Sequence, residues 1–332
     1  MKLSIDQVRD MTTGAVKVVF EEGMYRFYRF NSREAEVIDN PNVLSPAGVQ
    51  MRFKTDGQLL KLKIHTQALT NIRSYFSFDV FINDTMTGSI QNLNDEDCRG
   101  DYANNVYPLG CYQQEFKLGD GDKYIRLVFP HSVNMWIEDI EVVDATYAEP
   151  VKWDKTVIFF GDSITQGYDA LHPSKSYAAR LAEVLNANVI NKALGGAIFD
   201  PKLVEIPYDI KPDYVIVAYG TNDWNSVDLL SFKNNAAGFR NGLEANYSGI
   251  PVFVITPVWR HDWQLMKKCG AFSNIENAIK DIFGNRENIT VISGFDLIPH
   301  SLDYYGDLWV HPNDAGFEHY SDGLKKFLSF NA

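Results

Sequence analysis

The residue types that acyl transfer needs are spread through the second half of this chain. Ser163 stands in "VIFFGDSITQG", directly after an apolar run. A serine hydroxyl is a weak nucleophile until a neighbouring base takes its proton. His311, in "GDLWVHPNDAG", is the matching base, because an imidazole titrates near neutral pH. An acidic partner fixes the tautomer of such a histidine and stabilises the imidazolium. Asp307 precedes His311 in the same stretch and is the first candidate, with Asp303 a weaker one. A tetrahedral oxyanion needs hydrogen-bond donors already in place, each worth about 2.7–4 kcal/mol in the transition state. The backbone N–H groups of Ser163 and of Gly196 in "KALGGA", and the side-chain amide of Asn222 in "YGTND", supply that set. Each residue alone also has a plain structural reading. Asp-Ser before a helix is a common N-cap. Gly195 and Gly196 serve as turn glycines, and Asn222 as an Asx turn. Asp162 and Asp223 are read as structural, and His261, His300 and His319 as surface or core residues.

These candidates fall at recurring places in the pattern. From "AEPVKWDK" onward, short apolar runs alternate with helical periodicity. The runs are "VIFF", "ANVIN", "YVIVAY", "PVFVIT" and "ITVIS", uninterrupted by charge, as expected for parallel strands covered on both faces. Helical stretches follow, such as "SKSYAARLAEVLNA" and "NIENAIKDIFG", and a last helix is predicted after Asn313. The expectation is a five-stranded parallel sheet in a three-layer α/β/α, flavodoxin-like domain. Ligands of open parallel sheets sit beyond the carboxyl ends of the strands, where Ser163, Gly196 and Asn222 all lie. Pro312 disfavours helix at His311 and keeps the base on a loop.

The first half has a different period. "LLKLKI", "SYFSFDVFI", "KYIRLVF" and "MWIEDIEVV" alternate apolar and polar residues between turn-like "KTDGQ", "INDTMTG" and "LGDGDK". A short helix is expected near Ser4–Met11, and an antiparallel, jelly-roll-like β-sandwich after it. The chain of 332 residues is thus divided into a sandwich over 1–150 and an α/β domain over 151–332.

The four blocks together resemble the SGNH, or GDSL-type, hydrolases. "GDSITQG" matches the nucleophile block at Ser163, "NKALGGA" the second at Gly196, "YGTND" the third at Asn222, and "HPNDAGF" the last at His311. The resemblance implies a serine ester hydrolase that needs no cofactor and no metal. It departs from the family at one place. The usual acid stands three residues before the histidine, where this chain has Leu308, so Asp307 must serve from one residue further away. Some members work with a Ser-His dyad. A looser likeness, of the sandwich-plus-SGNH order, is to two-domain carbohydrate esterases that remove acetyl groups from sugars.

The substrate is therefore expected to be a small-molecule ester, with an acetylated sugar as the leading class. Lipase, arylesterase, thioesterase and acyltransferase chemistry, and a non-catalytic sugar-binding role, are the alternatives. Trp224, Trp259 and Trp309 stand on loops after the strands and are expected to contact substrate, with at least one packing its loop instead. A net charge of −12 disfavours nucleic acid and anionic membranes as partners. The nucleophile elbow G-x-S-x-G fails at Thr165, and no Walker A, H-E-x-x-H or dinucleotide fingerprint is present. Three cysteines, Cys98, Cys111 and Cys269, are too few and too irregular for a disulfide framework. With no apolar leader or membrane-length run visible, a cytoplasmic protein, free or as a homo-oligomer, is expected.

Overall fold

The computed structural model describes residues 1–94, 98, 101–206 and 210–328. A first helix, Ile5–Met11, is closed by a capping box between Ser4 and Gln7. Two antiparallel sheets follow. One runs Lys17–Glu21, Met24–Tyr28, Val133–Val143, Leu59–Ala68 and Cys111–Lys117, in that spatial order. The other runs Thr12–Thr13, Gln50–Thr55, Lys123–Val128, Ser77–Ile82 and Thr85–Gln91, with Ala148–Pro150 added on Gln50–Thr55. Leu60, Leu62 and Ile64 point inward onto Phe53, Phe78 and Leu127, while Lys61 and Lys63 face out. Burying one such side chain contributes about 1.5–3 kcal/mol, against about 0–1 for an exposed ion pair. The apolar alternation therefore fixes the register, and the lysines follow.

The second half forms a five-stranded parallel sheet. Its strands are Lys155–Gly161, Ala187–Asn191, Tyr214–Ala218, Val252–Ile255 and Ile289–Ile292, and the second lies outside the first. Both faces are covered, which is why the strands read as unbroken apolar runs. Val157 and Phe159 pack with Tyr177–Leu185 and Asp314–Leu328 on one face. Ile158 and Phe160 pack with Leu229–Asn246 and Ser273–Phe283 on the other. Strand order reverses between Lys155–Gly161 and Tyr214–Ala218, the switch point where such sheets open a crevice.

The two halves interlock through polar groups. The fully buried Arg29 donates to the carbonyls of Ser45, Asn42, Asn191 and Ala193, two from each half. Asn40 donates to the Gly195 carbonyl, and Lys192 pairs with Glu34 at 2.7 Å. Asp79, on Ser77–Ile82, meets His172 at 2.9 Å. No helix among the described residues is long and apolar enough to cross a membrane.

Candidate active site

Ser163 is the first residue of a short helix, Ser163–Gln166, directly after the first parallel strand. Asp162 is the N-cap and accepts from the Ile164 N–H at 2.9 Å. Burial pushes the Asp162 carboxyl up to about 6, while the Ile164 N–H and the charges of His311 and Arg260 pull it down. The turn leaves no room behind Gly161, where a Cβ would stand 2.2 Å from Thr165 Oγ1. As a first-turn residue, Ser163 keeps its own N–H outside the helix ladder.

The serine meets the histidine from the far end of the chain. Ser163 Oγ lies 2.7 Å from His311 Nε2, and His311 Nδ1 lies 2.6 Å from Asp307 Oδ2. Asp303 is exposed and bonded to Ser301, so it takes no part in this line. The displaced register of Asp307 has a local cause. Leu308 adopts φ +53°, a left-handed turn that curls the chain around the carboxylate. Asp307 Oδ1 then accepts from the N–H groups of Trp309, Val310 and His311 at 2.9, 2.8 and 3.1 Å. Burial alone would raise this carboxyl. The hydrogen bond and charge of His311, with the Val310 and His311 N–H groups, outweigh it and hold Asp307 well below the usual carboxylate range.

The second and third blocks meet beside the serine's strand. Gly196 is exposed with φ +78°, and a Cβ there would meet open space, so its backbone is bare to an incoming group. The neighbouring Gly195 is held by its N–H to Gln166 Oε1 at 2.8 Å. Asn222 donates one amide hydrogen to the Ala197 carbonyl at 3.0 Å, which ties its side chain to the Gly196 loop and leaves the other hydrogen to point elsewhere.

The indoles divide, and two expected substrate contacts are corrected. Trp224 is completely buried, its N–H donating to the Gly270 carbonyl and its ring against Phe272. Trp259 is buried between His300 and Tyr305. Both pack loops onto the sheet and present no face to a ligand. Trp309 remains 46% exposed, next to the equally open Leu308.

Several residues at the site carry no motif. Arg73, from the sandwich, places Nε 2.9 Å from Asp169 Oδ1 and Nη2 3.2 Å from Asp307 Oδ2 and 2.8 Å from His311 Nδ1. Asp169 has zero exposure and also accepts from Tyr75 at 3.0 Å. The tail of "GDSITQGYD" places Asp169 within reach of the nucleophile block, a usable signal. Nothing in "TNIRSYF" marks Arg73. Asp169, Asp307 and His311 offer ligand atoms within 4.8 Å of one another, but the guanidinium already fills the cation's place. His65, Cys111 and Glu138 form a similar group on the sandwich, where Lys63 holds Glu138 at 2.7 Å.

The arrangement can activate a hydroxyl, accept its proton and return it, with backbone and amide donors to one side. Residues 159–319 match the model of the GDSL-like lipase/acylhydrolase family. No curated protein matches the chain. Among solved structures, a salicylyl-acyltransferase from a tetracycline biosynthetic pathway superposes with a TM-score of 0.79 at 16% identity, over 96% of this chain and 93% of its own. A family two carbohydrate esterase from Cellvibrio japonicus gives 0.63 at 15% identity, over 99% and 98%. An acetyl xylan esterase from the rumen bacterium Butyrivibrio proteoclasticus gives 0.62 at 15% identity, over 100% and 99%. At these identities the superpositions speak for the fold, sandwich included. Fold and family model together place the α/β part of this chain, from Phe159 to His319, in the GDSL-like lipase/acylhydrolase family, as an SGNH ester hydrolase behind an N-terminal β-sandwich.

Proposed function

We propose that the protein is a serine esterase that removes small acyl groups, acetyl foremost, from carbohydrate esters. The observation that carries this reading is the continuous line Ser163 Oγ–His311 Nε2–Asp307, at 2.7 and 2.6 Å. In it, Ser163 attacks the acyl carbon while His311 takes its proton. The proton then passes from His311 to the leaving alcohol. Water, deprotonated by the same imidazole, releases the acyl group from Ser163. Asp307 holds the Nδ1–H and the positive charge that forms on the ring. The Ser163 and Gly196 N–H groups and the Asn222 amide stabilise the oxyanion. The division at residue 150/151 is proposed as the functional one, with the α/β part carrying the nucleophile and the base.

The choice of a sugar ester rests on the exposed Trp309 beside His311, a flat face that suits a pyranose ring, and on a fold shared with an acetyl xylan esterase. A second reading is transfer to an alcohol rather than to water. It is favoured by the full-length superposition on an acyltransferase. A series of p-nitrophenyl esters by acyl length, followed by acetylated xylo- and cello-oligosaccharides, tests the assignment. Acetyl esters are expected to turn over fastest, with stoichiometric fluorophosphonate labelling of Ser163. Ser163→Ala should abolish both without changing the unfolding temperature. Turnover that survives Ser163→Ala would refute the esterase reading, and acylated products in the presence of competing alcohols would favour transfer.

A further inference from the structure

The imidazole of His311 is surrounded by more negative charge than a base can use. Asp307 Oδ2 is 2.6 Å from Nδ1, and Asp169 Oδ2 is 3.9 Å from the same atom. Asp162, at the head of the Ser163 helix, adds a third buried carboxyl that interacts with the ring. Two ionised carboxylates beside one imidazole favour the imidazolium, and an imidazolium cannot accept the serine proton. Among the described residues, one cation touches both Asp307 and Asp169. Arg73 is 5% exposed, binds Asp169 through Nε, and brings Nη2 to Asp307 and to Nδ1 itself.

A base that takes the Ser163 proton at Nε2 must carry its resting proton on Nδ1, and that proton goes to Asp307. Nδ1 has one in-plane position, so it cannot also accept from Arg73. The guanidinium therefore acts on the ring by its charge. The position is a built one. Arg73 sits at φ +57°, uncommon for a side chain of this size, with its N–H on the Ala103 carbonyl and its guanidinium over the Tyr168 ring. Behind Asp169, Tyr75 and Tyr102 donate to its side chain and its carbonyl. The other charges nearby are already paired, Arg260 with Asp262 and Asp314 with Lys175.

We propose that Arg73 is a positioning residue supplied by the sandwich, the counter-charge that cancels Asp169 and leaves Asp307 alone to act on His311. The inference builds on the esterase reading, and it concerns a contact made across the two halves of the molecule.

The test is a titration of the His311 ring by NMR in imidazole-labelled full-length protein, together with the acid limb of kcat/KM on p-nitrophenyl acetate. In Arg73→Gln both should move to higher pH by about one unit or more, as loss of a cation within hydrogen-bond distance implies. Arg73→Lys should stay near wild type. Asp169→Asn should move both to lower pH, and the double variant Arg73→Gln/Asp169→Asn should return them towards wild type. If Arg73→Gln does not fold, the double variant and Asp169→Asn still carry the test. An acid limb that stays in place while kcat falls would mean a merely structural role and would overturn the proposal. So would a shift in Arg73→Lys equal to that in Arg73→Gln, or an Asp169→Asn titration that does not move. The ring titration needs no substrate. Failure of the esterase reading would show separately, as turnover that is absent or independent of Ser163.

Discussion

The acid at the site shows how far one residue can carry an argument. Asp307 has two oxygens with separate duties. Oδ1 gathers three backbone N–H groups, and Oδ2 faces the imidazole. Asp307→Asn keeps an oxygen for the backbone and turns an amide N–H2 towards Nδ1. That forces the wrong tautomer on His311. A fall in kcat on the order of 10³- to 10⁴-fold is expected, with the loop intact by thermal unfolding. A kcat within a few-fold of wild type would make the site a dyad. The indoles give a paired prediction. Trp224→Ala empties a fully buried space and should cost about 3–5 kcal/mol in denaturant unfolding. Trp309→Ala should leave stability unchanged and raise KM for a sugar ester by about 3- to 10-fold, from the loss of one stacking face. If instead Trp309→Ala leaves KM unchanged and lowers stability, Trp309 is a packing residue like the other two. Sequence could not separate these three tryptophans, because loop position is the same for all and burial depends on what the neighbouring loops do.

Among the elements, the strand Ser77–Ile82 is bound to the turn that follows the Ser163 helix. Asp79 on it meets His172, Ser174 and Ser77. Burial works against a charged His172, and the Asp79 hydrogen bond and charge outweigh it, so the imidazole is raised above its ordinary value. A histidine raised in the fold contributes stability that is complete below the unfolded value of about 6.5 and disappears as pH rises through the folded one. Asp79→Asn should therefore destabilise the protein by about 3–5 kcal/mol at pH 6, where the pair is charged. The gap to wild type should narrow by pH 9, measured by urea unfolding at both values. An equal gap at both would assign the effect to the hydrogen bonds alone. The elements themselves were largely legible in the sequence. "ANVIN" is the observed strand Ala187–Asn191, and the last helix starts at Asp314 as Pro312 implied. Their reason is local, since alternation, unbroken apolar runs and caps act within a few residues. Ser163 and His311 were legible from their motif blocks, whereas Asp307 stood one residue out of its block's register and reaches the ring through the left-handed turn at Leu308. The contacts of Arg73 and Asp169 were not, because they depend on how one half docks on the other, which no local period encodes.

At the scale of the molecule, the halves share buried polar partners, beside the packing of Leu171 on the Tyr75 and Tyr102 cluster. Arg29 alone spans four carbonyls, and removing it would strand acceptors in both halves at about 1–3 kcal/mol each. Calorimetry on the whole chain should therefore record one unfolding transition. Two well-separated peaks would contradict the interlocking. The connection between the halves adds to this. Ala148–Pro150 is paired along Gln50–Thr55, the Val151 N–H reaches the Arg52 carbonyl, and Arg52 lies over the Trp153 ring 3.4 Å away. The parallel sheet begins at Lys155, so almost no chain is left slack. The same tether carries Arg73, from one half, and His311, from the other, as parts of one frame, with Nη2 2.8 Å from Nδ1.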